Sequence, residues 1–87
     1  MINGCIDEFV PIINIDGVFC CKIKIGTKIP ITTEEIIRKI SKFRHYYYDG
    51  KIIIETDVKD EFVLDIIKKI NMINLKCELV LGGVVYE

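Results

Sequence analysis

The sequence predicts an α/β fold: an N-terminal β-hairpin arm followed by a βαβαβ unit, a three-stranded parallel sheet with two helices. Three observations carry that expectation. Two stretches, residues 32–48 and 57–73, repeat apolar residues at helical spacing. Between them lies Lys51-Ile52-Ile53-Ile54-Glu55, short, β-branched and apolar without alternation, as in a parallel strand buried on both faces. Asp16-Gly17, ahead of the first helix, is a turn dipeptide joining two strand-like runs. At 87 residues and 10.0 kDa the chain has room for one domain, residues 1–87, and one core.

Residues 3–15 mix Ile6, Phe9, Val10, Ile12, Ile13 and Ile15 with polar residues, and Pro11 interrupts them, which suits an irregular edge strand. Residues 18–25 complete the hairpin, and Gly26, Thr27, Lys28 and Pro30 read as a connecting loop. Thr32-Thr33-Glu34-Glu35 has capping-box spacing. The Thr32 hydroxyl is placed to accept from the Glu35 amide, and the Glu35 carboxylate to reach back to the Thr32 amide. Ile36, Ile37, Ile40, Phe43 and Tyr47 then form the apolar stripe of a helix running to about Tyr48, where Asp49-Gly50 ends it. The second helix, capped by Asp57 or Thr56, carries Phe62, Val63, Ile66, Ile67, Ile70 and Ile73 and stops at Asn74. A last strand, residues 76–81, precedes Gly82-Gly83.

Composition narrows the function classes. Twelve Lys and Arg face 13 Asp and Glu, a net charge of -1, with no basic block, which argues against nucleic acid as the main partner. No apolar stretch approaches a bilayer span and no signal segment is present, so a soluble, cytoplasmic protein is expected. Cys5, Cys20, Cys21 and Cys77 fit no metal-ligand spacing and read as small buried hydrophobes. Cys20 and Cys21, adjacent in a strand, point to opposite faces. No catalytic triad, phosphate-binding loop or dinucleotide motif is present, and no metal or cofactor is expected.

Ligands of parallel α/β folds gather at the carboxyl ends of the strands. Those ends carry Lys28 with Gly26 and Thr27, Glu55 with Thr56 and Asp57, and the pair Gly82 and Gly83, a candidate site for a small polar ligand or a partner. Helix capping explains Asp57 equally well, and turn geometry explains the glycines. His45 reads as a surface residue. Of Tyr46-Tyr47-Tyr48, one is expected to pack inward and the others to cover a contact surface.

Taken in order, several segments resemble the radical SAM activating enzymes of glycyl-radical enzymes, of the pyruvate formate-lyase activating type. Gly4-Cys5-Ile6 through Phe9 to Asp16-Gly17 is similar to the family's opening stretch and its D-G-P-G-I-R turn. Ile31-Thr32-Thr33-Glu34-Glu35-Ile36 is similar to its I-T-x-E-E-L helix start, continued by Phe43-Arg44-His45-Tyr46. Glu61-Phe62-Val63 through Lys76 resembles its second barrel helix, and Gly83 falls on the glycine of its T-N-G strand end. The resemblance implies half of a (βα)6 barrel, ending at Glu87. The C-x-x-x-C-x-x-C loop that holds a [4Fe-4S] cluster would lie between Gly26 and Ile29 and is absent. Of the G-G-E-P motif, read at Ile53-Ile54-Glu55-Thr56, only Glu55 is kept.

The resemblance therefore implies a non-catalytic, miniaturised relative of these activases, a pseudoenzyme acting as a regulatory or inhibitory protein-binding module. Its partner would be a glycyl-radical enzyme or its activase, in an anaerobe or in a phage that inhibits one. The alternative is a small-molecule-binding protein or small enzyme using Lys28, Glu55 and Asp57. A half barrel would also leave Leu79, Val80, Leu81, Val84 and Val85 as an unpaired edge and expose an inner face lined by some of Cys21, Ile23, Ile25, Ile52 and Ile54. A homodimer through that edge is the expected remedy, with the arm, residues 6–15, folding over the inner face as the competing one.

Overall fold

The computed structural model describes residues 2–86. A hairpin of β1 (Asn3–Ile15) and β2 (Val18–Thr32) leads into α1 (Thr33–Tyr46), β3 (Lys51–Thr56), α2 (Glu61–Met72), β4 (Lys76–Leu81) and β5 (Val84–Tyr86). They form one five-stranded sheet in chain order, antiparallel at β1–β2 and β4–β5 and parallel at β2–β3 and β3–β4. The predicted α/β class with a parallel β2–β3–β4 centre is present. The short strand β5 is an addition.

Both helices lie on one face of the sheet and share one core. Cys21 and Ile23 of β2, Ile52 and Ile54 of β3 and Leu79 of β4 meet Ile36 and Ile40 of α1 and Val63, Ile66 and Ile70 of α2. The row expected to line a bare inner face is thus the helix-facing row: Cys21, Ile23, Ile52 and Ile54 have no exposed surface, and Ile25 packs against the same cluster. Alternation along the strands sends the charged residues to the other face. There Lys22 pairs with Glu55 at 3.0 Å and Lys51 with Glu78 at 2.7 Å, with Ile53 between them.

The expected unpaired edge is also closed. Gly82 and Gly83 both have positive φ (56° and 85°), the conformation of a primed two-residue turn, and turn the chain back so that Leu79, Val80 and Leu81 pair with Tyr86, Val85 and Val84. The free edges are therefore β1 and β5 rather than β4, and Val84 and Val85, part of the expected edge, stay exposed on β5. Asp16 and Gly17 (φ 52° and 84°) make the same kind of turn between β1 and β2, as predicted.

The long hairpin is bent. A flat 13-residue strand would span roughly 43 Å, whereas the longest dimension of the molecule is 30 Å. Two irregularities do the bending. Between the pairs Val10↔Lys22 and Ile13↔Cys20, Pro11 and Ile12 oppose Cys21 alone, a bulge that accommodates a proline on an edge strand. Ile6 pairs with both Ile25 and Ile29, so Gly26, Thr27 and Lys28 loop out of β2. The predicted connecting loop is thus an excursion within a strand, which resumes through Pro30 where β2 has only β1 beside it. Beyond it Ile6 and Ile31 join the core, and Gly4 lies so close under the Phe62 ring that a methyl group there would collide with it. The arm does not fold over the open face. It forms the sheet edge, and its first residues close the helix side.

Helix boundaries differ from expectation in two places. Thr32 caps α1 by accepting from the Glu35 amide at 3.2 Å, but the return bond runs from the Thr32 hydroxyl to Glu35 Oε1 at 3.3 Å. At the other end Tyr47 leaves helical geometry, and its ring stacks on Phe19 at 4.5 Å, which ends α1 earlier than Tyr48. Asp60, not Asp57 or Thr56, caps α2 by accepting from the Val63 amide at 3.0 Å. Thr56 is buried and bonds Val58 in a local turn, its hydroxyl donating to the Val58 carbonyl at 2.8 Å. Between the helices, Lys69 of α2 binds Asp65 at 2.5 Å and Glu34 of α1 at 3.6 Å, and donates to the Thr33 hydroxyl at 3.5 Å.

Replacing Thr32 with Ala removes the acceptor for the Glu35 amide and is expected to lower stability by about 1 kcal/mol, read as a lower urea midpoint at unchanged slope. A second expectation concerns acid. The hydrogen bond from Lys69, with a further one from Thr33, holds the Asp65 carboxyl below its ordinary value. Its contribution is present above that ordinary value and is lost as pH falls through the lowered folded-state value. Asp65→Asn should therefore flatten the acid limb of a stability-against-pH curve, and an unchanged limb would show that the bridge contributes nothing there.

Candidate functional site

Topology brings Lys28, Asp57, Gly82 and Gly83 to one end of the parallel strands, as the sequence implies, but does not assemble them into a site. The excursion carrying Lys28 is closed on itself. The Asp7 carboxylate accepts from the Thr27 amide at 2.9 Å and from the Lys28 amide at 3.3 Å. These bonds, the Thr27 one first, hold the Asp7 carboxyl below its usual value. A methyl group on Gly26 would run into that carboxylate, so the glycine is what lets the strand wrap around it. Glu55 lies on the open face in its pair with Lys22, and Asp57 is exposed. Gly82 donates to the Thr56 carbonyl at 3.0 Å and serves the turn into β5. Among the described residues, no hydrogen bond or ion pair joins Lys28 to Glu55 or Asp57.

The opposite end of the molecule is built differently. A cleft of about 330 Å³ runs between β1 and α1. Phe9, Pro11 and Ile12 form one wall, and Phe43, Tyr46 and Tyr47 form the other, with Lys39 and Lys42 at the mouth. The Pro11–Ile12 bulge pushes β1 outward here, and helical spacing stacks Lys39, Lys42, Phe43 and Tyr46 along one side of α1. Phe43 is buried and anchors Tyr47, ring centroids 5.4 Å apart, and Tyr47 in turn holds Phe19. The Lys39 ammonium sits 5.5 Å above the Phe9 ring, a cation–π contact that fixes it at the mouth. Arg38, next to Lys39, and Glu35 continue the stripe on the exposed side. Among the described residues none of Arg38, Lys39 and Lys42 has a carboxylate partner within ion-pair distance.

Past the cleft the hairpin end is apolar on both faces. Ile12 and Phe19 lie on the helix side and Ile13, Ile15 and Val18 around the turn, beside Tyr46 and Tyr48, all between 37% and 80% exposed. The sequence singled out the tyrosine run and the inward packing of one of them, which is Tyr47. It missed Phe9, Pro11, Ile12, Lys39 and Lys42. The spacing of Lys39, Lys42 and Tyr46 along α1 was the legible signal, but the strand that completes the cleft comes from thirty residues earlier in the chain.

The thiols of Cys20, Cys21 and Cys77 are not poised for chemistry, and Cys5 and Cys77 are only partly buried, not the buried residues expected. Cys20 and Cys21 occupy opposite faces, as adjacent strand residues must, and both are buried. Burial, with the neighbouring Cys20 second, pushes the Cys21 thiol up to about 12, and burial followed by the Glu78 charge raises Cys77 to about 11. Among the described residues no three His, Cys, Asp or Glu side chains converge on a common metal position, and no helix is long and apolar enough to cross a membrane. No family model, curated protein or solved structure matches the chain.

Alkylation by iodoacetamide at neutral pH is expected to leave Cys20 and Cys21 unmodified in the folded protein and to reach both in urea. Rapid native-state labelling of Cys21 would contradict its place in the core.

Proposed function

We propose that this protein is a non-catalytic protein-binding module whose working surface is the hairpin end and the adjoining β1–α1 cleft. One observation supports it above the others: large apolar side chains of β1, β2 and the end of α1 are gathered, exposed, at one end of the molecule, a larger group than the other exposed run, Val84, Val85 and Tyr86 of β5. Monomeric soluble proteins rarely leave such patches without a partner to cover them. Tyr46 and Tyr48 are the amphipathic residues favoured at contact surfaces. The alternative, a small-molecule site at the strand carboxyl ends, would have to break the Lys22–Glu55 pair to recruit Glu55.

The activase resemblance supplies the class of partner, a glycyl-radical enzyme or its activase, bound as a regulator or inhibitor. The parallel β2–β3–β4 centre with helices on one face is what that ancestry requires, and equally what any right-handed βαβαβ unit produces.

Anaerobic affinity purification from the native source, run in parallel with the wild type, an Ile15→Asp/Tyr46→Ser double variant and a Leu64→Asp control on the exposed side of α2, tests this. The wild type and the control are expected to retain the same protein, and the hairpin-end variant to lose it at an unchanged melting temperature. Retention by all three would remove the hairpin end as the working surface.

A further inference from the structure

We infer that the β1–α1 cleft recognises an acidic segment of another protein, one that seats an apolar or aromatic side chain in the cleft and sets carboxylates against Lys39, Lys42 and Arg38. This rests on the hairpin end being a docking surface and adds what the surface selects. The cleft has the size of one large side chain with room around it, and its floor of Phe9, Phe43 and Tyr47 is apolar and aromatic. Its mouth is cationic in a chain whose net charge is -1. What distinguishes this mouth is clustering: Arg38, Lys39 and Lys42 lie together on one stretch of α1, and among the described residues none of the three is in an ion pair with a carboxylate. The carboxylate nearest in sequence, Glu35, is engaged by the Thr32 hydroxyl.

Charge decides between occupants. A second copy docking across a twofold axis would bring this cationic stripe against itself, which is repulsive. Single-stranded nucleic acid would satisfy the lysines and stack on the aromatics. It has no use for the aliphatic Ile12, Ile13, Ile15 and Val18 beside them, and the open sheet face carries Glu55 and Glu78 toward the same solvent. An acidic segment with an apolar anchor answers both features.

Fluorescence anisotropy of labelled synthetic peptides decides it. The probes are an acidic peptide with a central Phe-Leu, its counterpart with every Glu changed to Lys, an acidic peptide with Ser-Ser in place of Phe-Leu, and single-stranded oligo-dT. The first should bind more tightly than the other three and weaken as salt is raised. Lys39→Glu/Lys42→Glu should weaken it about tenfold or more, two attractions becoming two repulsions. Lys39→Gln/Lys42→Gln, which keeps the side-chain stems over Phe9, should fall between. Equal binding of the Lys-bearing peptide, tighter binding of oligo-dT, or no response to either lysine double variant would overturn the inference. The two proposals fail separately. Partner capture that needs Ile15 and Tyr46 but ignores Lys39→Glu/Lys42→Glu refutes the acidic segment alone. Lysine-dependent peptide binding without any partner lost on changing Ile15 and Tyr46 refutes the hairpin-end docking surface alone.

Discussion

Everything in this fold follows from burying one face of a parallel three-stranded sheet. Two crossovers of the same hand between strands laid down in chain order place both helices on one side, as the right-handed preference of such connections leads one to expect. The rows Cys21–Ile52–Cys77 and Ile23–Ile54–Leu79 are therefore roofed by Ile36, Ile40, Val63, Ile66 and Ile70, and among the described residues no second layer covers the other side. Each remaining feature answers that asymmetry. The helices need a polar tie where they meet, and Lys69 provides it across Asp65, Glu34 and Thr33.

The uncovered face is made tolerable by its own side chains. Lys22 with Glu55 and Lys51 with Glu78 reach diagonally across adjacent strands, and their stems shield Ile53, which is almost fully buried without any layer above it. The sheet limits its edges by similar local means. A two-glycine turn returns three residues onto β4, and the Pro11 bulge and the Gly26–Lys28 excursion bend β1 out of a flat, open edge. These devices pair β4 on both sides and leave β5, with Val84, Val85 and Tyr86 exposed, as an edge of the sheet.

They do not extend to the hairpin end. The helices stop at Tyr46 and Met72, while β1 and β2 run on to the Asp16-Gly17 turn. The apolar residues of that projection have only Tyr47 and its neighbours to lean on. The exposed apolar residues of the hairpin end therefore lie at the amino ends of the parallel strands, opposite the carboxyl ends where α/β ligand sites usually gather. Its chemistry is set by α1, whose sequence places lysines and aromatics on adjoining stripes.

By itself the sequence determined what depends on neighbours within a few residues. Thr32 and Glu35 start a helix because their spacing satisfies amides in the first turn. Asp16-Gly17 turns because both residues accept positive φ. The run 52–54 is a buried parallel strand because it is short, β-branched and unalternating. Where two local solutions competed, tertiary structure chose: Asp60 rather than Asp57 caps α2, and Tyr47 leaves the helix to stack on Phe19. Local pattern is also blind to pairing, so Gly26, Thr27 and Lys28 read as a loop although β2 resumes beyond them, and Leu79, Val80, Leu81, Val84 and Val85 read as one unpaired edge although Val84–Tyr86 folds back on Leu79–Leu81. The same limit applied to the site. Lys28, Glu55 and Asp57 were grouped because strand ends converge in such folds, but strand alternation turned Glu55 toward Lys22 on the open face. The cleft joins Phe9 and Ile12 to Lys39 and Tyr46, and that contact exists only once β1 has paired with β2 and α1 has settled over both.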